Sequence, residues 1–321
     1  MPIWEAVLLG VIQGVTEFLP ISSTAHLVVA RTLLGHDHPE DAFTVVIQLG
    51  TLAAVFVYFR ADVARMLGGL VADINAGRLA STPDSRLGWL IVLGTVPAVV
   101  CGFLFKKQLK AHFFTPTSIA VVAIVYALLM GAAEWWAHRR TRLGRAPRDA
   151  TAVTTDLTRT TEAEQDDEVV DGRATREEKD LTWVDALWIG AWQACALMPG
   201  GSRSGTTITG GLFAGLSRPA AARFSFLMSL PIMLGAGFKE LYDEYKQYRH
   251  PKEGEPPSLF ASGDEVAALV VGTLVSFVVG YFAIAFLLNF LRRYSMDVFV
   301  AYRLLLGTAI FVLIAQGYLK T

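Results

Sequence analysis

The sequence predicts an all-α integral membrane protein arranged as an inverted-topology repeat, each half a re-entrant helical hairpin followed by three transmembrane helices. Three observations carry this expectation. The 321 residues are 53% hydrophobic and 18% charged, with a mean hydropathy of +0.43, the balance of a membrane protein rather than a soluble domain. Apolar runs of span length recur along the chain, and two further runs are broken by polar, proline-bearing stretches. The order of elements in the first half then returns in the second.

The first half covers residues 1–140. Residues 3–34 are apolar but carry Gln13, Glu17, Pro20, Ser22, Ser23, Thr24 and His26, so an uninterrupted lipid-facing span of about 20 residues does not fit. Two half-helices meeting near Pro20 fit better, because proline stops the helix before it and Ser22 or Ser23 caps the next one. Such a hairpin is tolerated at membrane depth only where protein or a water-filled cavity surrounds it. Spans of bilayer length follow at about 41–59, 87–105 and 117–137, with the 60–86 stretch read as a loop. Residues 141–180 form a polar linker, where an arginine cluster gives way to a Thr/Asp/Glu-rich tract too poor in apolar surface to fold.

The second half, 181–321, opens with another broken hairpin at 183–216 and continues with spans near 220–238, 265–290 and 298–319. Gly10-x-x-Gln13 leading to Pro20-x-x-Ser23 matches Gly190-x-x-Gln193 leading to Pro199-x-x-Ser202, with one residue of slip. Gly94-Thr95 similarly matches Gly272-Thr273. A re-entrant hairpin returns to its own side, so each half crosses three times and the second copy is inverted. The two hairpin tips then enter from opposite faces and meet near the midplane, where inverted repeats place their polar sites. The arginine-rich face, with the 60–86, 138–182 and 291–297 connections, is expected to be cytoplasmic and both termini outside.

The chemistry concentrates at that meeting point. Pro199-Gly200-Gly201-Ser202-Arg203-Ser204-Gly205-Thr206-Thr207 is suited to an anion: glycines allow close backbone approach, four hydroxyls donate, and Arg203 offers a planar fork that fits phosphate oxygens. A helix starting near Ser204 would add its dipole and free N–H groups. Across from it, Gln13 and Glu17 share a helix face four residues apart, with Ser22, Ser23, Thr24 and His26 at or just past the break. Carboxylate, imidazole and hydroxyls at membrane depth are functional candidates by default. Arg223 and Arg303 are read instead as snorkelling or structural, and the tryptophans as interface anchors or packing.

Gln13-x-x-x-Glu17 with Phe18-Leu19-Pro20-Ile21-Ser22-Ser23-Thr24-Ala25-His26, together with Pro199-Gly200-x-Ser202-Arg203-Ser204-x-x-Thr207, resembles the two signatures of the bacterial undecaprenyl-pyrophosphate phosphatase family, bacitracin-resistance type. The likeness extends to Val45-Val46-Ile47-Gln48-Leu49-Gly50 and Phe224-Ser225-Phe226-Leu227. It implies hydrolysis of the terminal phosphate of undecaprenyl pyrophosphate at the outer face of the plasma membrane, recycling the lipid carrier of cell-wall synthesis, with a divalent cation, Mg2+ or Ca2+. Glu17 would be the acid/base or metal-associated carboxylate, Ser23 the nucleophile, and His26 a proton-transfer group or competing nucleophile. Arg203 with Ser202, Ser204 and Thr207 would bind the pyrophosphate, and Gln13, Ser22, Thr24 and Gly201 would complete the substrate site. Many members carry glutamate where this chain has Gln13, which weakens a scheme that needs two carboxylates for metal. The long acidic linker is a second departure.

The implied partners are the polyprenyl lipid and the bilayer. A net charge of −1 gives no reason to expect nucleic acid, and a homodimer is left open. The rival functions are a flippase or a secondary transporter of an anionic substrate, since broken helices in inverted repeats also serve transporters, and a membrane scaffold.

Overall fold

The computed structural model describes residues 1–36, 42–143, 176–250, 259–260 and 262–319, and among these the secondary structure is helical, with a single bridge between Arg176 and Leu216 in place of any strand. The helices are α1 (Ile3–Phe18), α2 (Ser23–Leu33), α3 (Ala42–Val46), α4 (Gln48–Tyr58), α5 (Arg60–Asn75), α6 (Pro83–Phe113), α7 (Pro116–Leu143), α8 (Trp183–Cys195), α9 (Arg203–Phe213), α10 (Arg218–Arg249), α11 (Gly263–Arg293) and α12 (Asp297–Ala315). The long ones, α6, α7, α10, α11 and α12, each contain a stretch long and apolar enough to cross a membrane. The chain is a multi-pass membrane protein.

The span expected at 41–59 differs from its prediction. It is two helices, α3 and α4, interrupted at Ile47, and α4 turns by 80° into α5 at Phe59. Residues 60–75 are therefore helical rather than a loop. Val63, Met66, Leu67, Leu70, Val71 and Ile74 recur at helical spacing there, with Val63 and Met66 buried and Leu67, Val71 and Ile74 exposed. The expected linker also ends earlier than 180. Residues 144–175 lie outside the described part, but Arg176 is fastened: its backbone pairs with Gly215 and Ser217, and its guanidinium donates to Asp185 at 2.9 Å and to the Ala214 carbonyl at 3.0 Å.

Both predicted helix breaks are present, through residues 19–22 and 196–202, and they are built alike. Ser22 (φ 76°, ψ 100°) and Ser202 (φ 66°, ψ 108°) each adopt a positive φ that non-glycine residues rarely take. Each also caps the helix after it, accepting from the N–H three residues on: Ser22 Oγ from Ala25 at 3.3 Å, Ser202 Oγ from Gly205 at 3.2 Å. The structural equivalent of Ser202 is thus Ser22 and not Ser23, the pairing that the motif spacing suggested. Ser23 stands opposite Arg203 in the comparison, each the first residue of its helix.

Each broken hairpin packs on a long helix of the other half, α1 along α11 and α8 along α6. The crossings need glycine. A Cβ added to Gly10 would lie 2.6 Å from the Gly272 carbonyl oxygen, and one added to Gly190 only 2.3 Å from that of Gly94. Small residues at crossings let helices approach where apolar burial from water is unavailable as a driving force. Below the breaks, Phe18 meets Phe226 edge to face at 5.3 Å, closing the core under α1 and α10. Gly190→Ala is expected to lower the melting temperature in detergent, at a cost of about 1–3 kcal/mol from overpacking, while Gly68→Ala, on exposed α5 with open space around it, leaves the melting temperature unchanged or slightly raised.

Candidate active site

The sequence 19–22 stops α1 with a proline and starts α2 with a capping serine, and 196–202 does the same for α8 and α9; the fold then places these two breaks in contact. Ser204 Oγ donates to the Leu19 carbonyl at 3.2 Å. Arg303 of α12 goes further and joins both breaks to α7. Its guanidinium donates to the carbonyls of Pro20 (3.4 Å), Gly200 (2.8 Å) and Ala123 (3.3 Å), with only 1% of the residue exposed. The Pro20 and Gly200 carbonyls sit where the helices break, so the arginine satisfies backbone acceptors that no helix can, while its bond to Ala123 ties them to α7.

The polar side chains converge on Glu17. Arg203 donates to its Oε1 at 3.0 Å, while Ser23 Oγ at 2.9 Å and Gln13 Nε2 at 3.1 Å donate to Oε2. Residues 186 positions apart in sequence thus share one ion pair. Arg203 also donates to the Ser225 carbonyl at 3.4 Å, and the Ser225 hydroxyl lies 2.6 Å from that of Thr207. Beside the ion pair is a cavity of ≈ 260 Å³. Its lining includes the polar Glu17, Ser22, Ser23, Thr24, Gln48, Gln193, Ser202 and Arg203. Phe114, Leu197, Met198, Ile232, Met233 and Ala236 make up an apolar part of the lining. The first turns of α2 and α9 both border it, so two helix N-termini add their partial positive charge to that of Arg203.

Not every expected site residue reaches this cavity. Ser204 and Thr207 are buried and do not line it; their hydroxyls are spent on Leu19, Arg203 and Ser225. Gly201 is likewise off the wall, its N–H held by the Met198 carbonyl at 2.9 Å. These three build the loop rather than face the space beside Arg203. Gln13 acts through Glu17. His26 is directed elsewhere: Nδ1–H donates to the Ser22 carbonyl at 2.7 Å, which fixes the tautomer, and Nε2 then accepts from the Tyr302 hydroxyl at 2.7 Å. It braces the Ser22 turn and is not on the cavity wall. Helix α9 starts at Arg203, one residue before the expected Ser204.

Sequence reasoning gave no role to Gln48, Gln193 and Ser225, and it read Arg303 as snorkelling or structural and left it out of the site. Arg303 carried a usable signal, since a charge within an apolar span is costly unless it serves a purpose. Gln193 had been matched to Gln13 without being given a role, and Gln48 and Ser225 lie within stretches already quoted for the resemblance.

With this geometry in hand, comparison with known proteins is direct. The family described as bacitracin resistance protein BacA matches residues 6–309. The chain belongs to that family. Among the similar proteins are undecaprenyl-diphosphatases of Chlorobium phaeobacteroides strain BS1, 42% identical with all of both chains covered, and of Prosthecochloris aestuarii, 40% identical over 99% of each. The one from Chloroherpeton thalassium is 42% identical over 100% of this chain and 99% of its own. For a BacA family member, the divalent cation that the resemblance implies meets a sparse donor set. Glu17 is the one carboxylate lining the cavity, both its oxygens are engaged, and the described residues contain no cluster of three or more acidic, histidine or cysteine side chains. These residues do not fit a resident cation.

Arg303→Met in this BacA family chain is expected to reduce stability by at least about 2 kcal/mol, because it strands the buried carbonyls of Pro20 and Gly200. Thermal unfolding in detergent reads the loss, and Arg303→Lys should recover only part of it, lacking the planar fork.

Proposed function

We propose that this chain hydrolyses the phosphoanhydride bond of undecaprenyl diphosphate, releasing inorganic phosphate and undecaprenyl phosphate, and so recycles the lipid carrier of cell-wall synthesis and confers bacitracin resistance. The observation that carries the reading is the shared grip on Glu17, with Arg203 on one carboxylate oxygen and the Ser23 hydroxyl on the other, beside a cavity lined by both polar and apolar side chains. The full-length relatives, which are undecaprenyl-diphosphatases, agree with it.

In the proposed reaction the diphosphate lies against Arg203 and the first turns of α2 and α9, with the prenyl chain leaving over apolar lining residues such as Ile232 and Met233. Glu17 takes the Ser23 proton as the oxygen attacks the terminal phosphorus. The bond from that phosphorus to the bridging oxygen breaks, and undecaprenyl phosphate departs. Water then hydrolyses the phosphoserine and restores Ser23. Phosphoryl transfer depends on positioning and on neutralising the equatorial oxygens, which Arg203 and the helix N–H groups supply. A divalent cation remains a proposal only in the form of an ion brought in on the substrate's own phosphate oxygens, and no step here runs through it.

Two further readings belong to the same proposal. The halves 1–140 and 181–321 are inverted repeats whose re-entrant tips meet at depth, supported by the like-built breaks at Ser22 and Ser202 and by the exchanged packing of α1 on α11 and α8 on α6. The site opens to the outer face of the bacterial plasma membrane with both termini outside, supported by the arginine-rich connections on the other face.

Phosphate release from undecaprenyl diphosphate by purified protein in detergent, with no gradient, tests the activity; movement of lipid across vesicles without phosphate release would instead establish the transporter. Arg203→Ala should lower kcat/KM by about two orders of magnitude or more. Ser23→Ala should abolish formation of a phosphoprotein, and if turnover in that variant stays near the wild-type rate, water is the direct nucleophile.

A further inference from the structure

From α8, Gln193 lines the cavity together with Glu17, Ser23 and Arg203. The residue is 2% exposed, and neither Oε1 nor Nε2 has a hydrogen-bonding partner. Exchanging the two amide atoms changes nothing, since both are orphaned. A buried primary amide with nothing to bond is costly to the fold, and the great majority of such groups in proteins are satisfied. Its repeat counterpart shows the contrast. Gln13, three residues past Gly10 as Gln193 is three past Gly190, uses its Nε2 on Glu17, whereas Leu197, four residues after Gln193, offers no carboxylate.

Resting on the proposed activity, we infer that Gln193 binds the diphosphate headgroup directly, its amide N–H donating to a phosphoryl oxygen. The other groups bordering the space select for an anion. Arg203 and the first turns of two helices are all positive, and the lone carboxylate already has three donors on it. An amide there adds a directional donor to the phosphate without adding charge, from a helix that carries no other polar side chain on this cavity. Gln193 bonds no other residue through its side chain, so it holds nothing in place. Its loss therefore separates binding from folding.

Gln193→Met keeps the length and removes the amide. Phosphate release from undecaprenyl diphosphate is expected to fall by about tenfold to a hundredfold in kcat/KM, the effect of one hydrogen bond to a charged group, while the melting temperature in detergent stays equal or rises because a stranded polar group is gone. Gln193→Glu, of the same size but anionic, should fall below Gln193→Met. A kcat/KM within about twofold of wild type in either variant overturns the assignment, and so does a loss that follows a lowered melting temperature in both. If the wild-type chain itself releases no phosphate, the proposed activity fails and takes this assignment with it; an active wild type beside an indifferent Gln193→Met defeats the assignment alone.

Discussion

The site exists because Arg303 holds two chain breaks together in the protein interior. A break in a buried helix leaves carbonyls that neither lipid nor the helix can satisfy, and each would be costly alone. One guanidinium, reaching from α12, answers two of them, Pro20 and Gly200, at once and adds a bond to Ala123 within α7. These bonds go to carbonyl dipoles and to no carboxylate, so its charge adds to the positive field around the breaks. Everything nearer the cavity, the Glu17 pair with Arg203 included, is positioned by backbone that this residue fixes.

The frame around the cavity is nearly symmetric while its chemistry is not. Ser22 and Ser202 have matching dihedrals and matching caps, and the residues after them begin equivalent helices. One of those residues is Ser23 and the other Arg203. A hydroxyl after one break and a guanidinium after the other meet on a single carboxylate, so the second half of the chain supplies charge where the first supplies a neutral donor. Positive φ at both serines is the kind of strain that persists where surrounding structure over-determines the backbone, and His26 and Tyr302 form part of that surround on the α2 side.

Much of this was legible in the sequence, and the failures have physical causes. Long apolar runs mark α6, α7, α10, α11 and α12, because lipid imposes both composition and length. The proline and serine pairs marked both breaks, since each residue type acts locally on the backbone. The bend at Phe59 was not legible, because apolar periodicity announces a helix but not the direction it takes. The interior hydroxyls of the 199–207 loop were assigned to ligand because sequence shows a donor and not its partner; Ser204 and Thr207 had already found theirs in Leu19 and Ser225. Arg303 was read as snorkelling or structural because it stands near the start of its apolar run. The structural alternative is the one the packing shows, since α12 carries it to both breaks.

The size of the cavity limits how much of a lipid the protein can surround. At ≈ 260 Å³ the space suits a headgroup and the first few carbons, below the usual range for a drug-sized ligand. The far end of a long hydrocarbon tail does not fit in that volume, so its solvent is the neighbouring acyl chains rather than the residues around Glu17 and Arg203.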